Sequence, residues 1–295
     1  MKKSISKAEG DIARLIGLGF LDWQKDLNGV RVNQDNHKKN VEEISYPHSS
    51  YSGNCLKRDD FWSKHRAKVI LDALKGVDQE LIWEVGGGDG RVGLQLAEKG
   101  IGLVFVEPLY EGCAKIAKEG LPVYQGTLQD LQLPDNSLSA LGLFDVLEHI
   151  EDDRAFLGYL FSKLEKQGKL FLTVPAHPWL FSQHDVALGH FRRYSSKALI
   201  QLLEESGFNV VRADFLYSVL VPVAFAWRRI PYFFRKHSEV NAELRHLERA
   251  LNVPPLIGKL LSSVLKIEKK AGLPFGLSFF AVAEKGVNRN IKSGG

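Results

Sequence analysis

One stretch decides the fold: residues 81–90 read Leu-Ile-Trp-Glu-Val-Gly-Gly-Gly-Asp-Gly. An apolar run ends here at Glu84 and Val85 and breaks into glycines, which reach positive φ and let a ligand approach the main chain. The stretch therefore predicts a strand followed by a tight loop. Residues 91–99 carry apolar side chains on one helical face and are followed by Gly100, so a helix comes next. Such a strand, loop and helix lie at the carboxyl edge of a parallel sheet, where nucleotide-like ligands bind.

The glycines of this loop fit two cofactor classes. Counted from Glu84, the pattern acid-x-Gly-x-Gly-x-Gly over Gly86, Gly88 and Gly90 resembles the first motif of class I S-adenosylmethionine-dependent methyltransferases. Counted from Gly88, it is the Gly-x-Gly-x-x-Gly fingerprint of dinucleotide-binding folds, which leaves the first two glycines unexplained. A glycine-rich turn without a ligand is a third interpretation. The resemblance implies that Glu84 steadies the loop or the methionine amine.

The composition is that of an ordinary globular protein, with 44% hydrophobic and 25% charged residues in a chain of 295. A net charge of +4 without a dense basic tract predicts no nucleic-acid partner. The two cysteines, Cys55 and Cys113, exclude a disulfide framework and fit a reducing compartment, so we expect a cytoplasmic protein. The N-terminus does not have the pattern of a signal peptide, and the most apolar stretch, residues 215–227, is shorter than the roughly 18 residues of a spanning helix.

Two further strands carry cofactor candidates. The second strand ends at Glu107, whose carboxylate can accept hydrogen bonds from both ribose hydroxyls in methyltransferases and in NAD enzymes alike. The third strand, residues 123–125, leads to Thr127, where methyltransferases commonly place an acidic residue for the adenine amino group. The resemblance therefore implies an adenine contact at Thr127 or at the backbone of Leu128.

The fourth strand, residues 140–144, continues into Asp-Val-Leu-Glu-His-Ile at residues 145–150. This string resembles the corresponding element of small-molecule methyltransferases, which implies that Phe144 and Asp145 lie near the cofactor. An Asn/Asp-Pro-Pro-aromatic string is absent here, which argues against methylation of nucleic-acid bases. His149 is a candidate general base because an imidazole with a pKa near neutrality can take a proton from a hydroxyl or amine. A residue at a helix start, bonded to backbone, is the alternative.

A fifth strand, residues 169–174, follows a helix that Gly168 is expected to end, and it leads into a polar, aromatic loop. Loops at this edge of a sheet often carry function. The candidates for a base or an orienting group in this loop are His184, His190 and Tyr194. The candidates for substrate binding are His177, Arg192 and Arg193. The arginines suit a carboxylate or phosphate, or alternatively pin the loop to neighbouring carboxylates. His184 and His190 lack the i,i+4 spacing of a catalytic zinc motif, so no metal site is predicted.

The chain divides into an N-terminal extension (1–58), a methyltransferase core (59–215 and 274–286), a helical insertion (216–273) and a tail (287–295). Apolar and basic residues alternate in the insertion, which fits a lid, a dimer surface, a peripheral membrane contact through residues 215–270, or plain packing on the core.

Together the motifs predict an α/β fold of the class I methyltransferases. The expected architecture is a doubly wound, Rossmann-like sheet of seven mostly parallel strands, with an antiparallel last strand and a helical insertion. The resemblance implies S-adenosyl-L-methionine as cofactor and a small-molecule or lipid-like methyl acceptor. An NAD-dependent oxidoreductase and a non-catalytic nucleoside-binding module stay open as alternatives.

Overall fold

A computed structural model of the chain describes residues 24–25, 29–32, 61–75, 81–222, 224–225 and 273–286. Most of the expected N-terminal extension and helical insertion, and the tail, lie outside these residues. The strands in chain order are β1 (Gln24–Lys25), β2 (Arg31–Val32), β3 (Leu81–Val85), β4 (Gly102–Glu107), β5 (Val123–Gln125), β6 (Leu138–Phe144), β7 (Leu164–Pro175), β8 (Phe208–Leu216) and β9 (Ser278–Lys285). The α-helices are α1 (Phe61–Ala73), α2 (Arg91–Glu98), α3 (Tyr110–Lys118), α4 (Asp153–Lys163), α5 (Gln183–Ala187) and α6 (Ser196–Glu205).

The strands form one sheet in the order β1-β2-β5-β4-β3-β6-β7-β9-β8. Neighbours from β2 to β7 run parallel, and β9 lies antiparallel between β7 and β8. The predicted seven-stranded sheet with its antiparallel last strand is confirmed, and two short strands of the N-terminal segment extend one edge. The order of the strands in the sheet reverses between β3 and β6. A crevice therefore lies at the carboxyl ends of these two strands.

Alternate residues of the central strands face opposite layers of helices. In β3, Leu81, Trp83 and Val85 pack with leucines of α4 and α6, whereas Ile82 packs with α1, α2 and α3. All five residues of the strand are buried. A strand covered on both faces needs a continuous apolar run rather than an alternating one. The burial of the sheet on both faces therefore follows from the sequence of β3.

One boundary differs from the prediction. The helix expected to end at Gly168 ends at Lys163, and Leu164 already pairs with Leu138 of β6. The register then shifts before Lys169 pairs with Ala140, and Gln167 takes a φ of 65° within this irregularity. Leu164 is fully buried in this pairing. None of the helices in the described part of the chain combines the length and apolar character that a membrane crossing requires.

Candidate active site

The loop after β3 contains three glycines in left-handed backbone conformations. Their φ angles are 70° at Gly86, 57° at Gly88 and 77° at Gly90, and Gly90 caps α2 from that conformation. Side chains with a Cβ rarely adopt such angles, so the alternating glycines meet a requirement of the backbone itself. The loop lies at the crevice between β3 and β6, with its main chain accessible to a ligand.

The carboxylate of Glu107 connects the end of β4 to this loop. Its Oε2 accepts a hydrogen bond from the Gly88 N–H at 2.7 Å, and its Oε1 accepts one from the Leu109 N–H at 2.8 Å. Burial raises the pKa of Glu107 to about 7, although the two N–H donors act in the opposite direction. A carboxylate has about four lone-pair sites, so this one is fixed in place and can still accept further hydrogen bonds.

Glu84 and Arg66 present buried polar atoms beside the same loop. Glu84 is 3% exposed, and both its Oε2 and the Nε of Arg66 lack a hydrogen-bond partner in the described structure. Burial, and then the charge of Glu107, raises the pKa of Glu84 to about 8. An unpartnered buried polar group costs about 1–3 kcal/mol, which a ligand with complementary charges would recover.

The expected adenine contacts are partly engaged inside the protein. The Thr127 hydroxyl donates to Asp130 at 2.7 Å, and the Leu128 carbonyl accepts from the Tyr159 hydroxyl at 3.1 Å. Leu128 and Phe144 are buried. The Thr127 side chain therefore shapes its own turn, which leaves the backbone N–H of Leu128 as the candidate adenine contact.

Asp145 follows β6 with a φ of 59°, a conformation that non-glycine residues rarely adopt. Its carboxylate accepts a hydrogen bond from the Thr173 hydroxyl at 2.9 Å and forms an ion pair with Arg66. Such strained backbone persists where the surroundings enforce it, and it clusters at functional sites. Asp145 thus links α1, β6 and β7 at the crevice.

Beyond Asp145 lies a group of three side chains, Glu148, His149 and His190. One potential metal-ligating atom from each lies within 4.8 Å of the other two. The two imidazole rings meet edge-on with centroids 4.7 Å apart. Burial, and then the neighbouring His190, lowers the pKa of His149 to about 4. His149 is therefore a neutral imidazole and a weaker base than the sequence prediction assumed. His184 lies on α5, outside this group.

Tyr194 bonds to other residues of the protein. It is 4% exposed, and its hydroxyl donates to Asp153 at 2.8 Å and lies 3.3 Å from the Leu147 carbonyl oxygen. Burial and the Asp153 carboxylate raise the pKa of Tyr194. A hydroxyl enclosed and bonded in this way holds the loop to α4, and the role of Tyr194 as a base or orienting group for substrate stays a prediction.

The two arginines of the loop also bond to the protein itself. Arg193 is buried, and its Nε donates to Asp185 at 2.7 Å. Arg192 pairs with Asp153 at 2.7 Å and donates to the Glu151 carbonyl. The alternative in which arginines pin the loop to carboxylates therefore describes the observed contact of Arg193, and its contact with substrate stays a prediction. Arg192 keeps a side chain that is 32% exposed and can still meet an anionic group.

His177, the remaining substrate candidate, belongs to an aromatic cluster at the end of β7. Its ring stacks on Phe215 with centroids 5.4 Å apart and lies 5.3 Å from Trp179, which in turn meets Phe225 at 5.9 Å. Trp179 is 45% and Phe225 47% exposed. The cluster presents an apolar, aromatic surface beside the polar groups of the crevice.

Sequence reasoning missed Arg66 as a site residue. Arg66 falls on the apolar face of α1, four residues after Trp62 and four before Ile70, so a charge inside an apolar stripe could have identified it. Glu148 is adjacent to His149 in the quoted string, but its complete burial is visible only in the fold.

Comparison with known proteins agrees with this geometry. A family model described as a methyltransferase domain matches residues 64–213. A probable S-adenosylmethionine-dependent methyltransferase of Mycolicibacterium smegmatis is 26% identical over 160 residues, which are 52% of this chain and 62% of that protein. The chain thus spans less than two thirds of the length of this curated relative.

Solved structures are also similar to this chain. The cyclase SpnF superposes with a TM-score of 0.50 at 15% identity, over 76% of this chain and 81% of that one. A phosphoethanolamine N-methyltransferase 2 of Haemonchus contortus, in complex with phosphomonomethylethanolamine and S-adenosylhomocysteine, has a TM-score of 0.49 at 15% identity, over 75% and 52% of the two chains. The family match covers about half of the chain, including the glycine loop and the ends of β4 and β6. The chain therefore belongs to the methyltransferase domain family, in the class I group that depends on S-adenosylmethionine.

Proposed function

We propose that this protein transfers the methyl group of S-adenosylmethionine to a small molecule of apolar or aromatic character. One observation carries the proposal: the left-handed glycine loop and the fixed carboxylate of Glu107 lie in the same crevice as the cluster of Glu148, His149 and His190. A cofactor cradle and groups able to handle a proton therefore converge at the reversal of strand order.

In this proposal each end of the cofactor has its own protein partner. Glu107 accepts hydrogen bonds from the ribose hydroxyls, and the Leu128 N–H contacts the adenine. Glu84 and Arg66 bind the ammonium and carboxylate of the methionine portion, which satisfies their unpartnered buried atoms. Bound there, S-adenosylmethionine supplies a methyl group that is already activated.

The acceptor lies between the aromatic cluster and the histidines. The exposed rings of Trp179 and Phe225 support an apolar or aromatic acceptor, and Arg192 is available to an anionic substituent. His190 and His184 are the groups available to receive a proton, since the pKa of His149 is lowered to about 4. Aligning the reactants can contribute roughly 7–11 kcal/mol, and general-base assistance a further 100- to 10,000-fold in rate.

Calorimetric titration with S-adenosylhomocysteine and, separately, with NAD tests the cofactor assignment. We expect binding of S-adenosylhomocysteine alone, lost in Gly88→Arg because a side chain at a φ of 57° is strained and occupies the loop. Gly158→Arg is the matched control, since a Cβ at this exposed position of α4 meets nothing within 4 Å. Binding of NAD alone, or equal binding by both variants, would contradict the assignment.

The acceptor class is tested with cofactor labelled in its methyl group. Purified protein is incubated with protein, nucleic-acid and organic-soluble fractions of a cell extract. We expect the label in the organic-soluble fraction, because the aromatic cluster favours an apolar acceptor. Label found in protein or nucleic acid instead would overturn this part of the proposal, and no transfer to any fraction together with intact S-adenosylhomocysteine binding would favour a non-catalytic module.

A further inference from the structure

The group of Glu148, His149 and His190 joins two distant parts of the chain. Glu148 and His149 belong to the short turn of 3-10 helix at Leu147–His149 after β6, and His190 follows α5. The Phe191 N–H donates to the Glu148 carbonyl at 2.8 Å, which fixes the two segments against each other. The cluster is therefore held by backbone and does not depend on mobile side chains alone.

Glu148 is a buried carboxylate. The residue is 0% exposed, and neither Oε1 nor Oε2 has a hydrogen-bond partner in the described structure. The two arginines whose charges reach it already form ion pairs with other carboxylates, Arg66 with Asp145 and Arg193 with Asp185. Both arginines are thus shared with other carboxylates, and a bound cation would give the buried Glu148 carboxylate a partner of its own.

Both imidazoles are oriented as metal-ligating histidines usually are. Nδ1 of His190 lies 3.1 Å from the Asp185 carboxylate, and Nδ1 of His149 lies 3.2 Å from the Gly189 carbonyl oxygen. A carboxylate or carbonyl at one ring nitrogen places the proton there and directs the lone pair of Nε2 to a metal. Nε2 of His190 is 4.0 Å from Glu148 Oε1. Two donors of one tetrahedral ion with bonds of about 2.0–2.2 Å lie about 3.3–3.6 Å apart. The donor atoms here lie within 4.8 Å of one another, so closure by about 1–1.5 Å completes the site.

We infer that Glu148, His149 and His190 form a binding site for a divalent transition-metal cation such as Zn²⁺, Co²⁺ or Mn²⁺. Two imidazoles and one carboxylate suit these ions better than Mg²⁺, which prefers oxygen ligands throughout. Three protein ligands leave coordination positions open, as in catalytic sites. The spacing of His184 and His190 did not indicate this site, because some forty residues of chain separate His190 from Glu148 and His149.

The inferred metal site restricts the chemical class of the methyl acceptor, and this step rests on the proposed function. A cation in the crevice would bind the hydroxyl of an acceptor and lower its pKa. The acceptor O–H bond breaks and its proton passes to solvent. The methyl carbon forms a bond to that oxygen as its bond to sulfur breaks, which yields S-adenosylhomocysteine. The inferred acceptor is therefore a small molecule that carries a metal-binding hydroxyl.

Metal binding is measured on the full chain without a tag, after treatment with chelator and without cofactor. Calorimetry with Zn²⁺ and Mn²⁺ and the visible absorption of Co²⁺ should report one ion per chain. Glu148→Gln and His190→Gln should weaken binding by more than the roughly 10- to 100-fold that losing an outer-sphere partner costs. His184→Asn is the matched control and should bind normally. Circular dichroism checks each fold, and Glu148→Gln should remain folded because it keeps the shape of the side chain and neither carboxylate oxygen has a hydrogen bond to lose in the described structure.

Three results would each overturn the metal site. They are absence of metal binding by the wild type, binding of Mg²⁺ alone, and equal metal affinities in the cluster variants and the wild type. Loss of binding in His184→Asn with retention in Glu148→Gln would assign the metal to other residues and overturn it as well. S-adenosylhomocysteine binding measured without metal separates the two proposals, since either can fail while the other stands. If metal binds but has no effect on transfer to hydroxyl acceptors, the site stands and the acceptor class is overturned.

Discussion

Replacing Glu84 by Gln should stabilise the ligand-free protein near neutral pH. Glu84 is buried at the end of β3, and its Oε2 has no hydrogen-bond partner in the described structure. Burial raises its pKa from 4.5 to about 8. At pH 7 the folded protein therefore holds Glu84 protonated, whereas the unfolded chain holds it ionised, so folding takes up a proton. A glutamine of the same shape is neutral in both states and avoids this cost.

The magnitude and the pH window follow from the two pKa values. A raised pKa contributes stability that is fully present below 4.5 and is lost as the pH rises toward about 8. The loss is about 1.4 kcal/mol per pH unit in this window, hence about 3 kcal/mol at pH 7 relative to pH 4.5. Glu84→Gln should recover about this amount at pH 7. For a domain of this size the gain corresponds to a melting temperature higher by about 6–12 °C.

Urea unfolding of both proteins at pH 5, 6, 7 and 8 measures the difference. The gap between variant and wild type should widen with pH and level off near pH 8. Glu107 is present in both proteins, and its charge contributes to the difference only through its effect on the pKa of Glu84. Glu204→Gln, on the exposed side of α6, is the control for the loss of a carboxylate. A variant that is less stable at pH 7, or a gap that does not change with pH, would refute the reasoning.

Two other substitutions test single residues of the site. Glu107→Gln removes the charge of the group that would accept hydrogen bonds from the ribose hydroxyls. A charge-assisted hydrogen bond contributes roughly 1.5–3 kcal/mol, so calorimetry should show that S-adenosylhomocysteine binds about 10- to 100-fold more weakly. Unchanged affinity would contradict the ribose contact. Tyr194→Phe removes the hydrogen bond to Asp153, so the free energy of unfolding should fall by about 1–3 kcal/mol while S-adenosylhomocysteine affinity stays constant. Wild-type stability in this variant would argue against the structural role of the hydroxyl.

The order of strands and helices could be predicted because each central strand is a continuous apolar run that ends at a glycine or an acid. Residues 81–85 and the run that ends at Glu107 are buried throughout, as parallel strands covered on both faces require. The end of α4 could not be predicted in the same way. Leu164 suits a helix face and a sheet face equally, and only its pairing with Leu138 decides between them.

Within the site, sequence reasoning located groups of residues better than their individual contacts. The alternating glycines show in the sequence because the backbone itself demands them. For Tyr194 and Arg193, residue type suggested chemistry, but burial and a bonded carboxylate are properties of the folded loop. The pairing of Glu148 with His190 depends on how the loop after β7 returns to the turn after β6, which no local pattern records.

The position of β9 has a consequence for the order in which the protein folds on the ribosome. β8 pairs with β9 and not with β7, so the strand formed by Phe208–Leu216 has no neighbour until Ser278–Lys285 has been synthesised. The parallel strands up to β7 can associate earlier, because their partners are already present. Contacts between segments so distant in sequence form slowly, and unpaired strand edges stay exposed until they form. The last strand therefore completes a sheet whose ligand-binding half is assembled first.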